Sequence, residues 1–306
     1  MMRKVKSFLL YNQKIRFLKV ILTNILGLCY PIVIRIYRIP KIHTIEETIL
    51  KIRSEKLSIA RFGDGEVIFL VNKLALKFKE YDERLALLMR KMLKNGEKNL
   101  LIGLPDGYRS VNQFDKKIAK YTRSQVAFHY PRFFKFLDVK TEYWNANITR
   151  LYFGYKDQTL SGYYFELIRS IWNNRNVLLV EGEKSRLGVG NDLFDNAKSV
   201  ERILGPMHHA FRKFDNLFHE VLTHSTSKLV LVAMGPTAKV LAYQLTEKGF
   251  QVIDVGNLDI EYTWYKSGSK ERFKVRGKYT SEVAGGRDVE DVIDPIYASQ
   301  IVASYY

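Results

Sequence analysis

Residues 229–254 read LVLVAMGPTAKVLAYQLTEKGFQVID. The apolar run Leu229–Ala233 has the length of a buried strand, and Gly235-Pro236 turns the chain out of it. Thr237 starts a helical pattern that runs to Lys248, Gly249 ends it, and Gln251–Val255 is a second apolar run. Strand, helix and strand in that order make a βαβ unit, whose two strands must lie parallel.

Outward from this unit the same alternation recurs. Strands are expected at Leu57–Arg61, Asn99–Gly103 and Asn176–Val180, with helices at Glu83–Leu93, Tyr163–Trp172 and Phe211–Thr223. Residues 40–56 predict a connection and an amphipathic helix, with Ile45, Ile49 and Ile52 at helical spacing and Thr44 as its cap. There is no internal repeat, low-complexity tract or long linker. The pattern predicts an α/β fold: a Rossmann-like, doubly wound, mostly parallel sheet over residues 41–306, behind a leader at 1–40.

Composition narrows the function classes. The 306 residues are 46% hydrophobic and 26% charged, which excludes a disordered tail, a collagen-like chain and a disulfide-stapled miniprotein. The single cysteine, Cys29, allows neither an internal disulfide nor a cysteine-based zinc site, as expected of a reducing cytosolic setting. The 49 Lys and Arg against 32 Asp and Glu leave a formal charge of +17 and point to an anionic partner.

That charge is uneven. Residues 1–45 hold nine basic side chains (Arg3, Lys4, Lys6, Lys14, Arg16, Lys19, Arg35, Arg38 and Lys41) and no acid, so the remainder carries only +8. Within the same segment, residues 20–34 are largely apolar. As a helix they would reach about 22 Å, short of the roughly 30 Å hydrocarbon core. Pro31 and Asn24 also weigh against a span, and no small-residue cleavage site follows for a signal peptide. Two readings remain: a segment lying in the interface of an anionic inner leaflet, or a first helix packed on the domain with its basic residues solvated.

Ligands of such sheets bind beyond the carboxyl ends of the strands. Three loops there carry candidate chemistry. Arg61-Phe-Gly63-Asp64-Gly65-Glu66 places two carboxylates two residues apart, with Gly65 allowing both to approach one Mg²⁺ or Mn²⁺; the same stretch also reads as an ordinary Asp-Gly turn. Glu183-Lys184-Ser185-Arg186-Leu-Gly188-Val-Gly190-Asn191 combines two cations with glycine-exposed amides and would suit a diphosphate, or is a plain surface loop. Asp259 and Glu261 would share one face if extended, as a general base or a sugar-hydroxyl ligand, or as part of an alternating edge strand.

Other signals fail. His219 and His224 are five apart, a spacing no HExxH zinc helix uses. The aromatic and basic residues of 128–136 suit a core helix as well as a strand-binding face, and no nucleic-acid module surrounds them.

With these loops in view, the chain resembles the GT-D-type glycosyltransferases, bacterial enzymes with a DxE motif. The resemblance rests on ARFGDGE (60–66), VEGEKSRLGVGNDLFDNAKSVERI (180–203), MGPTAKVLAYQLTEKGFQVIDVG (234–256), DIEYTWY (259–265) and KVRGKYTSEV (274–283), with Asn147–Arg150 beside them. It implies transfer of a hexose from a nucleotide sugar, UDP-linked and metal-assisted, to a glycan acceptor carried on lipid or protein. Asp64 and Glu66 would hold Mn²⁺ or Mg²⁺. Lys184, Arg186, Gly188, Gly190 and Asn191, with Gly63, Glu183, Arg61 and Arg150, would contact the donor, and Asp259 or Glu261 would serve as base. Asn257 stands where many relatives carry His, and the leader lies outside the resemblance. The expected setting is the inner face of the cell membrane, without nucleic acid as partner. The alternative is a membrane-associated module that binds a nucleotide without turnover.

Overall fold

The computed structural model describes residues 21–22, 25–72 and 81–306; the leader up to Val20 lies outside them. The described helices are α1 (Tyr30–Ile36), α2 (Ile45–Glu55), α3 (Asp64–Asn72), α4 (Glu83–Asn95), α5 (Lys116–Phe133), α6 (Ser161–Arg169), α7 (Phe214–Leu222), α8 (Pro236–Glu247), α9 (Leu258–Lys266) and α10 (Pro295–Gln300). The strands are β1 (Ser58–Arg61), β2 (Leu100–Leu104), β3 (Trp144–Asn145), β4 (Asn176–Gly182), β5 (Ser199–Gly205), β6 (Leu229–Ala233), β7 (Gln251–Asp254) and β8 (Ile301–Ser304). They form one sheet in the order β3-β2-β1-β7-β6-β4-β5-β8, and every pair is parallel.

The βαβ unit predicted from residues 229–254 is present as β6, α8 and β7, with Leu229 opposite Gln251 and Val232 opposite Asp254. Alternate residues of β6 serve opposite faces. Val230 and Val232 pack with Leu241 and Leu245 of α8 and with residues of α3, α4, α5 and α7. Leu229 and Leu231 pack with α2, α6 and α9, through Ile49, Ile52, Phe165, Ile168, Leu258 and Trp264. The sheet is therefore buried on both sides, as all-parallel sheets require. Thr44 caps α2 as expected: its hydroxyl accepts from the Glu47 amide at 3.1 Å, and the Glu47 carboxylate accepts from the Thr44 amide at 2.8 Å.

Three strands escape the sequence reading. β5 carries Glu201 and Arg202 mid-strand, and a charged pair there masks the apolar pattern. Arg202 is nonetheless buried, because its guanidinium meets Glu181 of β4 at 2.5 Å and stacks on the Tyr297 ring. β3 has two residues, too few for a pattern, and β8 is a half-exposed strand on the far edge of the sheet. The segment around Asp259 and Glu261 also differs from the extended reading: it is helix α9, in which residues two apart point to different sides.

Among the described residues no helix is long and apolar enough to cross a membrane. The described part of the leader packs on α5 and the segments beside it: the Tyr30 hydroxyl donates to the Gly107 carbonyl at 3.1 Å, and Tyr37 sets its ring against Tyr130 of α5 and Phe134 just past its end.

Candidate active site

The two halves of the sheet, β1–β3 and β4–β8, meet between β1 and β7. β1 leads on to β2 and β3, whereas β7 belongs to the β4–β8 half, so the loops leaving β1 and β7 part and open a crevice. A cleft of about 980 Å³ lies there, lined by the β1–α3 turn, the β6–α8 turn, the β7–α9 turn, α5, residues 146–155 and the C-terminal segment around Tyr279–Arg287. That volume falls within the range of small-molecule and cofactor sites.

Its floor is a quartet of charges. Arg61, the last residue of β1, donates from Nε to the Asp254 carbonyl at 2.6 Å, from Nη2 to Asp254 Oδ1 at 3.1 Å and from Nη1 to the Ala146 carbonyl at 3.0 Å. Lys239 of α8 reaches Asp254 Oδ2 at 3.0 Å and Glu66 Oε1 at 3.1 Å, and donates to the Gly235 carbonyl at 3.2 Å. Burial alone would raise the Asp254 carboxyl, but Arg61 and Lys239 outweigh it and hold the group below the usual carboxylate range. Gly256 makes the arrangement possible, since it has φ +47° and a Cβ there would collide with Arg61 Nη2.

Asp64 and Glu66 both line the cleft, in the first turn of α3, where the helix dipole favours carboxylates. They do not lie on one face. Asp64 accepts from the Tyr121 hydroxyl of α5 and from the Gly65 amide at 2.9 Å, whereas Glu66 turns back to the Gly63 amide at 2.9 Å and to Lys239. Helix α3 begins at Asp64 itself, so Gly65 makes no separate turn of the kind the spacing implied. The donor set is hard oxygen, which suits Mg²⁺ or Mn²⁺ held by one or two carboxylates and completed by phosphate oxygens and water. Among the described residues no cluster of three or more His, Cys, Asp or Glu stands ready for a metal, so any ion here would depend on ligands from a bound diphosphate. Asp64, exposed and without an ion pair among the described residues, is the better placed of the two, since Glu66 is tied to Lys239.

Arg150 also lines the cleft, paired with Glu282 and, at 3.5 Å, with Glu261. Burial would raise the Glu282 carboxyl, but Arg150 and Asn257 keep it below the usual range. Asn257 donates to Glu282 Oε1 at 2.5 Å.

The 183–191 loop lies elsewhere. Of this loop only Ser185 and Leu187 line the cleft; Glu183, Lys184, Arg186, Gly188, Gly190 and Asn191 do not. Lys184 pairs with Asp291, and Arg186 is buried against the Gly277 and Glu290 carbonyls at 2.7 and 2.9 Å. The Gly188 amide and the Asn191 side chain donate to Asp259 Oδ1 at 2.9 and 2.7 Å, and Lys278 closes Asp259 Oδ2 at 2.6 Å. Asp259 thus ties loop, α9 and C-terminal segment together, fully buried. Glu261 is buried as well, accepting from the Tyr152 and Phe153 amides at 3.3 and 3.1 Å; burial pushes its carboxyl up despite Arg150. Neither carboxylate faces the cleft, so the placement does not suit an acceptor base. The fold spends these charges on internal anchoring.

Sequence reading passed over Lys239, Tyr121, Lys117, Glu282 and Arg287, all cleft-lining. Lys239 left one sign: it is the lone charge in the otherwise uncharged run Pro236–Tyr243, and a lysine buried there, as this one is, needs anionic partners. Tyr121, Lys117 and Arg287 left none, since they come from segments distant in sequence.

Residues 59–283 match the family model described as the glycosyltransferase GT-D fold. The chain belongs to this family. Among similar proteins, the Streptococcus pneumoniae (serotype 4) protein "Glycosyltransferase GlyD" is 38% identical over 260 residues, covering 85% of this chain and 32% of the relative. The Streptococcus gordonii "Probable glycosyl transferase Gly" is 32% identical over 264 residues, covering 85% and 38%. The chain thus spans about a third of the length of these relatives. Two solved structures superpose closely. The domain of unknown function 1792, described as having a distinct glycosyltransferase fold, has a TM-score of 0.85 at 32% identity and covers 90% of this chain and 100% of its own. A glycosyltransferase of the same domain family from Streptococcus sanguinis has a TM-score of 0.83 at 30% identity, covering 88% and 100%.

Proposed function

We propose that the cleft transfers a hexose from a UDP-linked nucleotide sugar to a growing glycan on lipid or protein, with Mn²⁺ or Mg²⁺ held by Asp64 and assisted by Glu66. The observation that carries this reading is the meeting of Asp64 and Glu66 with Arg61, Lys239 and Arg150 in one cleft at the switch point of the sheet, in a chain of the GT-D family. When bound, the metal would neutralise charge gathering on the departing diphosphate.

The charge balance of the cleft indicates which protein groups remain for that diphosphate. Arg61 and Lys239 are answered by Asp254 and Glu66, and Arg150 by Glu282. Lys117 and Arg287 are exposed, line the cleft and have no ion-pair partner among the described residues. They can turn to an incoming anion, while the Gly235–Pro236 start of α8 supplies the positive end of a helix dipole. Glu282 is ionised but held low by its cations, which makes it a weak base and an orienting partner for Arg150.

The test is a panel of UDP- and GDP-sugars with Mn²⁺, reading nucleoside diphosphate release in the presence of glycan acceptors. Release with a UDP-hexose that falls at least 100-fold in Asp64→Ala and Glu66→Ala, with folding intact, is expected. Binding of the nucleotide sugar without release, or near-full activity of either variant in chelator-treated buffer, would refute the proposal.

A further inference from the structure

Helical backbone runs from Ile25 through Ile36, interrupted by a single turn residue at Cys29, and α1 is its second half. At about 100° per residue, Ile25, Leu28, Ile32 and Ile36 fall within roughly 80° of one another on this helix. All four are solvent-exposed, by 54, 77, 58 and 70%. The opposite side is already used: Tyr30 is buried, Val33, Ile34 and Tyr37 pack on the core, and a Cβ at Gly27 would lie 3.1 Å from Ser124 Oγ of α5. A helix apolar on two sides, with one side satisfied by the domain, has a second apolar surface to cover.

Charge indicates what covers it. The first 45 residues hold nine basic side chains and no acidic one. Arg35 and Arg38 flank the stripe, are exposed and have no ion pair among the described residues. Two copies of so cationic a segment would repel each other, whereas an anionic lipid surface offers both the charge and the apolar boundary that the stripe needs.

The geometry points to this helix as an in-plane membrane anchor, its Ile25–Leu28–Ile32–Ile36 stripe entering the acyl boundary of an anionic bilayer with Arg35 and Arg38 at the head groups. Helix α5 on which it rests also lines the cleft through Lys117, Tyr121 and His129. Docking would therefore hold the cleft beside the bilayer, and this assignment stands whatever reaction the cleft performs.

The test uses the full chain in flotation with vesicles of phosphatidylglycerol and phosphatidylcholine, against phosphatidylcholine alone. Binding is expected to the anionic vesicles only, to weaken with salt, and to fall at least tenfold in the triple variant L28S/I32S/I36S. These side chains are exposed, so the triple variant should keep the wild-type melting temperature and circular dichroism spectrum. Cys29, exposed and the sole cysteine, gives a second reading: an environment-sensitive dye attached there should shift to the blue on anionic vesicles. Undiminished binding by the triple variant, or no shift of the dye on bound protein, would overturn the proposal. So would a wild-type dimer that dissociates in the triple variant with no vesicle binding by either.

Discussion

Replacing Lys239 with methionine removes one positive charge from the quartet of Arg61, Lys239, Asp254 and Glu66 while keeping an unbranched side chain only one atom shorter. The quartet is neutral in the native protein, with two cations against two carboxylates, and the variant leaves it at one net negative charge. The lysine Nζ lies 3.0 Å from Asp254 and 3.1 Å from Glu66. At about 3 Å and an effective dielectric near 20, each contact is worth roughly 5 kcal/mol before solvation is considered. The variant no longer bears the cost of burying an ammonium, and Arg61 still holds Asp254. The net loss should therefore sit near the lower end of the ~3–5 kcal/mol found when one partner of a buried pair is deleted.

The pH dependence gives a sharper check. In the native protein Asp254 has a folded pKa below its unfolded one, so its contribution is fully present above the unfolded value, about 3.9. It is lost only as pH falls through the lower folded value. Without Lys239, burial acts on Asp254 with less opposition, and its pKa moves up. Once that value exceeds the unfolded one, the native state binds more protons and the variant gains stability on acidification. Urea unfolding followed by tryptophan fluorescence at pH 7 and about 4.5 should thus show a deficit of about 3 kcal/mol that narrows at the lower pH. A deficit under about 1 kcal/mol at pH 7, or one that widens toward acid, would refute the reasoning.

Two further outcomes follow from the same geometry. Gly256→Ala forces a Cβ onto the Arg61 guanidinium at a φ of +47°, so it should cost ~2–4 kcal/mol and weaken nucleotide-sugar binding; unchanged thermal unfolding would count against the close approach. Asp259→Asn keeps the shape but strands Lys278 without its counter-charge, and should lower stability by ~3 kcal/mol while turnover, read well below the melting temperature, stays within a few-fold of wild type. A loss of 100-fold or more in turnover with unaltered stability would instead return Asp259 to the role of base.

The α/β class and the βαβ unit at 229–254 were legible because they depend on local periodicity. Leu229 to Ala233 can be buried on both faces only in a covered parallel strand, and a glycine turn must follow. The Arg61–Glu66 stretch was legible for the same reason: it follows a strand, and strand ends in this fold open onto the crevice. The 183–191 loop and the Asp259–Glu261 pair carry residue types just as suggestive, yet their charged side chains turn away from the cleft. Their direction is set by partners far along the chain, Asp291 and the Gly277 carbonyl for the loop and Lys278, Tyr152 and Phe153 for the pair, and by the helical rather than extended backbone of α9. Residue types and spacing specified the carboxylates and cations this protein possesses. Only the tertiary structure decided which are neutralised inside and which face the cleft, because an ion pair such as Arg61 with Asp254 joins residues 193 positions apart, a proximity that local pattern does not encode.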